Sequence, residues 1–267
     1  MRNDEFALLP EFTSPNFYVA RKGTGFLHLG KELASRNRLV QGTISGICHI
    51  YGESSPCYTR FPFFSGVPER MYAIVPEAKL IYIVRHPLER MISHYMHYYD
   101  IGIESRSLSE ALADFSGANL YVFQSQYYLQ LTQFLPFFPR SRILVLTAEQ
   151  LLSHRRDTLQ QVFRFLNIDD SFDSAKFSQM RHKSSDKRQK NRMGLWLSRR
   201  LERVGLKHFS PDLAWHLDRL LCLPLSRPML RPSLDGQLRQ ELTAYLKEDL
   251  DRFKALTGSD FDAWSIT

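Results

Sequence analysis

Apolar positions follow two rhythms along the chain. Continuous apolar runs occur at "NFYVA" (16–20), "AKLIYIV" (78–84) and "RILVLTAEQLL" (142–152), the form taken by strands buried on both faces of a parallel sheet. Between and after them, "SLSEALADF" (107–115), "QSQYYLQLTQFLPFF" (124–138) and "RRDTLQQVFRFLNI" (155–168) repeat apolar residues at helical spacing, and "SLSE" has the form of a capping box. The run 233–258 sets Leu238, Leu242, Tyr245, Leu246, Leu250 and Phe253 near one side of a long helix closed by Gly258. "RKGTG" (21–25) reads as a Gly-bearing loop between the first strand and a helix with Phe26, Leu27, Leu29 and Leu33 on its apolar face. The Gly- and Ser-rich stretch 39–64 reads as irregular, with room for one short strand. Strands alternating with helices predict an α/β fold, a central parallel sheet flanked by helices, in a single domain over 1–267. Ligands of such sheets bind beyond the carboxyl ends of the strands, where both "RKGTG" and "RHPLER" fall.

The stretch "KLIYIVRHPLERMISHYMHYYD" (79–100) concentrates hydrogen-bonding groups where a strand ends. With Pro87 as the first helical residue and about 100° per residue, Leu88, Met91, Ile92, Tyr95 and Tyr99 share one face. Arg90, Ser93 and His97 then share the opposite face, within about 60° of one another. That face is either the solvated side of a core helix or a phosphate site, with the helix N-terminus, Arg85 and Ser93 as donors and a histidine alongside.

Composition narrows the alternatives. A 43% hydrophobic, 24% charged chain without an apolar run of membrane-spanning length is expected to be soluble. The segment "MRNDEFALLPEF" lacks the form of a signal peptide, so a cytoplasmic location is expected. Cys48, Cys57 and Cys222 lie far apart, suggesting reduced thiols and neither a disulfide framework nor a zinc site. A net charge of +7 favours an anionic ligand or partner, and its basic residues concentrate in 181–192 and 198–208.

The spacing of Arg85, Pro87, Arg90, Ser93 and Tyr95 after an apolar strand resembles the 3′-phosphate segment of sulfotransferases that use 3′-phosphoadenosine 5′-phosphosulfate (PAPS). "GESSPCY" (52–58) is similar to a segment of the carbohydrate and bacterial members, and the middle of the chain (127–168) resembles theirs. The resemblance implies a P-loop-like sulfotransferase fold, with PAPS as co-substrate, adenosine 3′,5′-bisphosphate as product and no metal. It implies that Arg85 and Ser93 hold the 3′-phosphate and that His97 stands where heparan-sulfate-type members have a catalytic histidine. Lys183, Ser184, Lys187 and Arg188 become candidate contacts in a nucleotide-closing loop; the other reading of 181–192 is a solvated charge run.

Arg21-Lys22-Gly23-Thr24-Gly25 resembles the family's 5′-phosphosulfate loop, with either Arg21 or Lys22 in the lysine position. Lys22 is preferred as the cation, with Gly23 and Thr24 cradling sulfate and phosphate. The family's Lys-Glu-x-x-Phe-Phe segment has no counterpart between residues 31 and 52, which leaves Glu53 as a second candidate base. The expected activity is sulfuryl transfer to a hydroxyl or amine of a carbohydrate, glycolipid or other small acceptor. The alternative is a degenerate member that binds nucleotide without transfer. A third reading sets the basic 181–208 region, with Trp196, Leu197 and Leu201, against nucleic acid or an anionic membrane surface. Nucleic acid is not the expected partner, and membrane-surface association is expected to be weak.

Overall fold

A computed structural model describes residues 16–22, 38–43, 49–115, 119–174, 177, 188–203, 217–218, 220–228, 230–258 and 264. In chain order these form β1 (Asn16–Lys22), β2 (Arg38–Thr43), β3 (His49–Ser55), α1 (Val67–Ile74), β4 (Lys79–Val84) and α2 (Pro87–Asp100). They continue as α3 (Leu108–Ala113), α4 (Leu120–Phe123), α5 (Tyr127–Thr132), β5 (Ile143–Thr147), α6 (Ala148–Ser153) and α7 (Arg155–Leu166). The last elements are β6 (Arg188–Lys190), α8 (Arg192–Arg203), β7 (Ser226–Pro228) and α9 (Gly236–Thr257).

Among the described residues five strands make the main sheet in the order β2-β3-β1-β4-β5, and β6 and β7 pair separately. β4 is buried on both faces, as its unbroken apolar run predicts. Leu80, Tyr82 and Val84 join a core with residues of α2, α5 and α9, whereas Ile81 and Ile83 point the other way, to Leu146 of β5, Leu151 of α6, and Leu159 and Phe163 of α7. The class is α/β with helices on both sides of the sheet. Parallel pairing is found between β4 and β5, with Leu80 opposite Ile143 and Val84 opposite Thr147. β1, expected in the parallel set, runs antiparallel to β4, and β2 and β3 extend the sheet antiparallel beyond it. The stretch read as irregular therefore supplies two strands. The proposed helix after "RKGTG" lies outside the described residues.

Helix starts follow local chemistry. Ser107 with Glu110, and Thr147 with Gln150, close reciprocal capping boxes on α3 and α6. Asp235 caps α9 by accepting from the Leu238 N–H, and Gly258 ends it at φ 64, in the left-handed region that glycine enters without Cβ strain.

The stretch 124–138 departs from the single helix expected of it: it breaks at Gln126, gives the short α5, and continues in turns toward Pro136 and Pro139, which have no N–H for a helical ladder. A distant side chain caps α5. The carboxylate of Asp249, on α9, accepts from the N–H groups of Tyr128 (3.0 Å) and Leu129 (2.9 Å). Burial outweighs these hydrogen bonds and pushes the Asp249 carboxyl up to about 6. A pKa raised in the folded state adds stability at low pH that is lost as pH rises through about 6. In urea unfolding, the native chain is expected to gain roughly 1–2 kcal/mol more than Asp249→Asn between about pH 7 and about pH 5. Parallel profiles for the two proteins would refute this.

Candidate functional site

Arg85 and His86 extend β4 at its carboxyl end, and Pro87 opens α2 immediately after, its missing N–H costing nothing at a first helical position. The Tyr127 hydroxyl donates to the Arg85 carbonyl at 2.6 Å, and the His86 N–H donates to Glu149 Oε1 at 3.0 Å. Glu149 lies in the first turn of α6, directly after β5, so this bond joins the ends of the two parallel strands. The Arg85 side chain, 22% exposed, reaches Glu89 at 3.4 Å, and Arg231 pairs with the same carboxylate.

Three buried polar atoms here have no hydrogen-bond partner among the described residues: His86 Nδ1, Ser93 Oγ and Glu149 Oε2. Orphans of this kind cost stability and call for an explanation such as a ligand. Burial lowers the His86 pKa against the opposing pull of Glu89 and Glu149, so the ring is neutral at neutral pH.

Ser93 is 4% exposed, six residues and about 9 Å of helical rise past Pro87. His97 follows one turn later and is half-buried. The expected polar face of Arg90, Ser93 and His97 does not form as one surface, because Arg90 turns into the core. Its guanidinium, fully buried, donates to Ser125 Oγ (2.7 Å), Gln124 Oε1 (3.3 Å) and the Tyr121 carbonyl, and lies 3.3 Å from His94 Nδ1. Among the described residues no carboxylate faces it, and burial lowers its pKa to about 10, which leaves it charged at neutral pH. Arg90 is thus a brace between α2 and α4.

At the far end of α2, the Arg106 guanidinium and nearby backbone N–H groups hold the Glu104 carboxylate at about 2, and the Tyr121 hydroxyl donates to it as well.

Other predicted site residues fall elsewhere. β1 sets Asn16 opposite Ile83 and Ala20 opposite Lys79, so Arg21 and Lys22 stand at the amino end of β4, about 20 Å of strand from Arg85. Glu53 sits mid-sheet on β3, opposite Val19. Arg188 belongs to β6, which lies against α2. Gly23, Thr24, Gly25, Lys183, Ser184 and Lys187 lie outside the described residues. Sequence reasoning missed His86, Glu89, Glu149, Arg231 and the Arg90–His94 contact. The i, i+4 spacings Arg85–Glu89 and Arg90–His94 were available signals, whereas Glu149 and Arg231 arrive from distant segments.

Among the described residues no group of His, Cys, Asp and Glu is arranged to hold a metal ion, and no helix is long and apolar enough to cross a membrane. Fold and site define an α/β protein that gathers charged groups and unpartnered polar atoms at the carboxyl ends of its two parallel strands. The chain belongs to the sulfotransferase family, whose pattern residues 27–173 match. It is 28% identical over 121 residues to a bifunctional heparan sulfate N-deacetylase/N-sulfotransferase of Drosophila melanogaster, a match covering 40% of this chain and 11% of that one. The crystal structure of a sulfotransferase from Alicyclobacillus acidocaldarius superposes with a TM-score of 0.51 at 22% identity, covering 79% of this chain and 65% of that one, which establishes likeness of fold.

Proposed function

We propose that the protein moves a sulfuryl group from PAPS to a hydroxyl or amine of a carbohydrate, glycolipid or other small acceptor. The observation supporting this most is the buried, unpartnered Ser93 hydroxyl on the helix that Arg85 introduces. Arg85 supplies charge, Ser93 a hydrogen bond and the first turn of α2 its free N–H groups, a donor set suited to the nucleotide's 3′-phosphate. The position of β6 beside α2 supports Arg188 as a nucleotide contact, with Lys183, Ser184 and Lys187 assigned to the same closing loop. His97, one turn beyond Ser93, takes the acceptor proton, with Glu53 as the second candidate base. The acceptor oxygen or nitrogen bonds to sulfur as the bond from sulfur to the phosphate oxygen breaks, and adenosine 3′,5′-bisphosphate leaves. The run Arg21–Gly25 has its phosphosulfate role by its letters alone.

A second reading, nucleotide binding without transfer, draws on the β1 pairing that separates Lys22 from Arg85. Calorimetric titration with adenosine 3′,5′-bisphosphate tests both. Micromolar binding, about 8 kcal/mol, is expected in the native chain and at least about tenfold weaker binding in Arg85→Ala. No binding by the native chain would overturn both readings. Binding without transfer of radiolabelled sulfate to a panel of oligosaccharides and glycolipids would decide for the second.

A further inference from the structure

Surplus positive charge is unevenly placed in this chain. Residues 192–231 hold eight Lys and Arg against three Asp and Glu, five of the seven surplus charges. The described part of this segment consists of α8, residues 217–218 and 220–225, β7 and residues 230–231. One side of α8 faces inward: Gly194 and Ser198, one turn apart, meet Cys222 and Asp218, with Cys222 Sγ 3.6 Å from the Gly194 carbonyl and the Ser198 hydroxyl donating to Asp218 at 2.5 Å. Cys222 is 1% exposed, so this seam is closed.

The other side of α8 is open. Met193 (62% exposed), Trp196 (57%) and Arg200 recur at i, i+3 and i+7, and the Arg200 guanidinium lies 5.2 Å from the centre of the Trp196 ring. Nearby along the chain, Leu220, Leu221 and Leu223 are exposed, and Leu230 is 91% exposed. Six of the fourteen exposed large apolar side chains among the described residues fall in this one segment, a density that singly scattered surface residues do not produce.

Charge and apolarity together select the partner. A soluble polyanion would satisfy the arginines and leave the leucines and Trp196 in water, whereas an anionic bilayer takes both, headgroups against the guanidinium groups and acyl chains against the apolar side chains. We propose that this face docks the protein peripherally on an anionic membrane surface. Arg231, next in the chain to the exposed Leu230, pairs with Glu89 at the start of α2, so this segment adjoins the candidate site. The proposal does not depend on sulfuryl transfer.

Sedimentation of the full chain with phosphatidylcholine vesicles, with and without phosphatidylserine, tests it. Partition is expected to be at least about tenfold greater onto the phosphatidylserine vesicles, to fall with added salt, and to drop about tenfold in Trp196→Ser/Leu230→Ser. Both substituted side chains are exposed, and an unchanged melting temperature will verify the variant's fold. Brominated acyl chains should quench tryptophan emission in the native chain and much less in Trp196→Phe. Equal partition onto neutral and anionic vesicles, or a double variant that binds like the native chain, would overturn the proposal, as would retention on a soluble sulfated polysaccharide with no vesicle binding.

Discussion

Replacing Arg90 with alanine is expected to destabilise the protein by about 3–5 kcal/mol in urea unfolding, lowering the melting temperature by roughly 10 °C. The guanidinium is fully buried and charged, and its donors satisfy the Ser125 hydroxyl, the Gln124 side chain and the Tyr121 carbonyl. Gln124 in turn donates to the Pro56 carbonyl at 3.2 Å, so one side chain ties α2 and α4 to the segment following β3. Removing it strands several acceptors and opens a cavity, two of the few mechanisms that give losses of this size. Arg90→Lys keeps the charge but cannot fork among three acceptors, and is expected to recover at most about half of the loss. A loss below about 1 kcal/mol for the alanine variant would show that the brace is dispensable.

Ser93→Ala should separate stability from binding. The hydroxyl is buried without a partner among the described residues, so its removal is expected to leave unfolding unchanged or to stabilise by about 1 kcal/mol. If that hydroxyl donates to a phosphate oxygen in the complex, a charge-assisted hydrogen bond disappears with it, and affinity for adenosine 3′,5′-bisphosphate falls roughly 10- to 100-fold. Both readouts are needed. A variant that loses stability and affinity together would mark Ser93 as a packing residue, and one that retains affinity would remove it from the site.

Much of the framework on either side of the site was legible for a physical reason. β4 is read from an unbroken apolar run, the start of α2 from Pro87, α3 from its capping box, and α9 from one apolar stripe ended by Gly258, all of which are local signals. The direction of β1 is not local: "NFYVA" suits a parallel or an antiparallel neighbour equally, and the pairing with β3 and β4 decides it. The same holds for β2 and β3, whose glycines hide the strand period until partners align them. In 124–138 the apolar spacing continues through two interruptions, one at Gln126, where the distant Asp249 caps the start of α5, and one after Thr132, ahead of Pro136. At the candidate site, Arg85 and Ser93 stand out in the sequence through fixed spacing in one segment. Arg90 was misplaced because helical angles set a residue's face without revealing that α4 would cover it. Glu149 and Arg231 reach the same place through tertiary contacts that the sequence does not announce.

The order of synthesis gives α9 a further significance. Tyr82 of β4 packs edge-on against Tyr127 and against Phe253, in the C-terminal half of α9, and Leu80 and Val84 share that core. A ribosome delivers Phe253 long after β4, α2 and β5, so one face of the sheet stays open until α9 has been synthesised. Closing it requires contacts between far-separated residues, which are slow to form. A nascent chain halted before Gly236 would therefore present an apolar sheet face to chaperones and proteases, which makes the synthesis of α9 a checkpoint for closing this core.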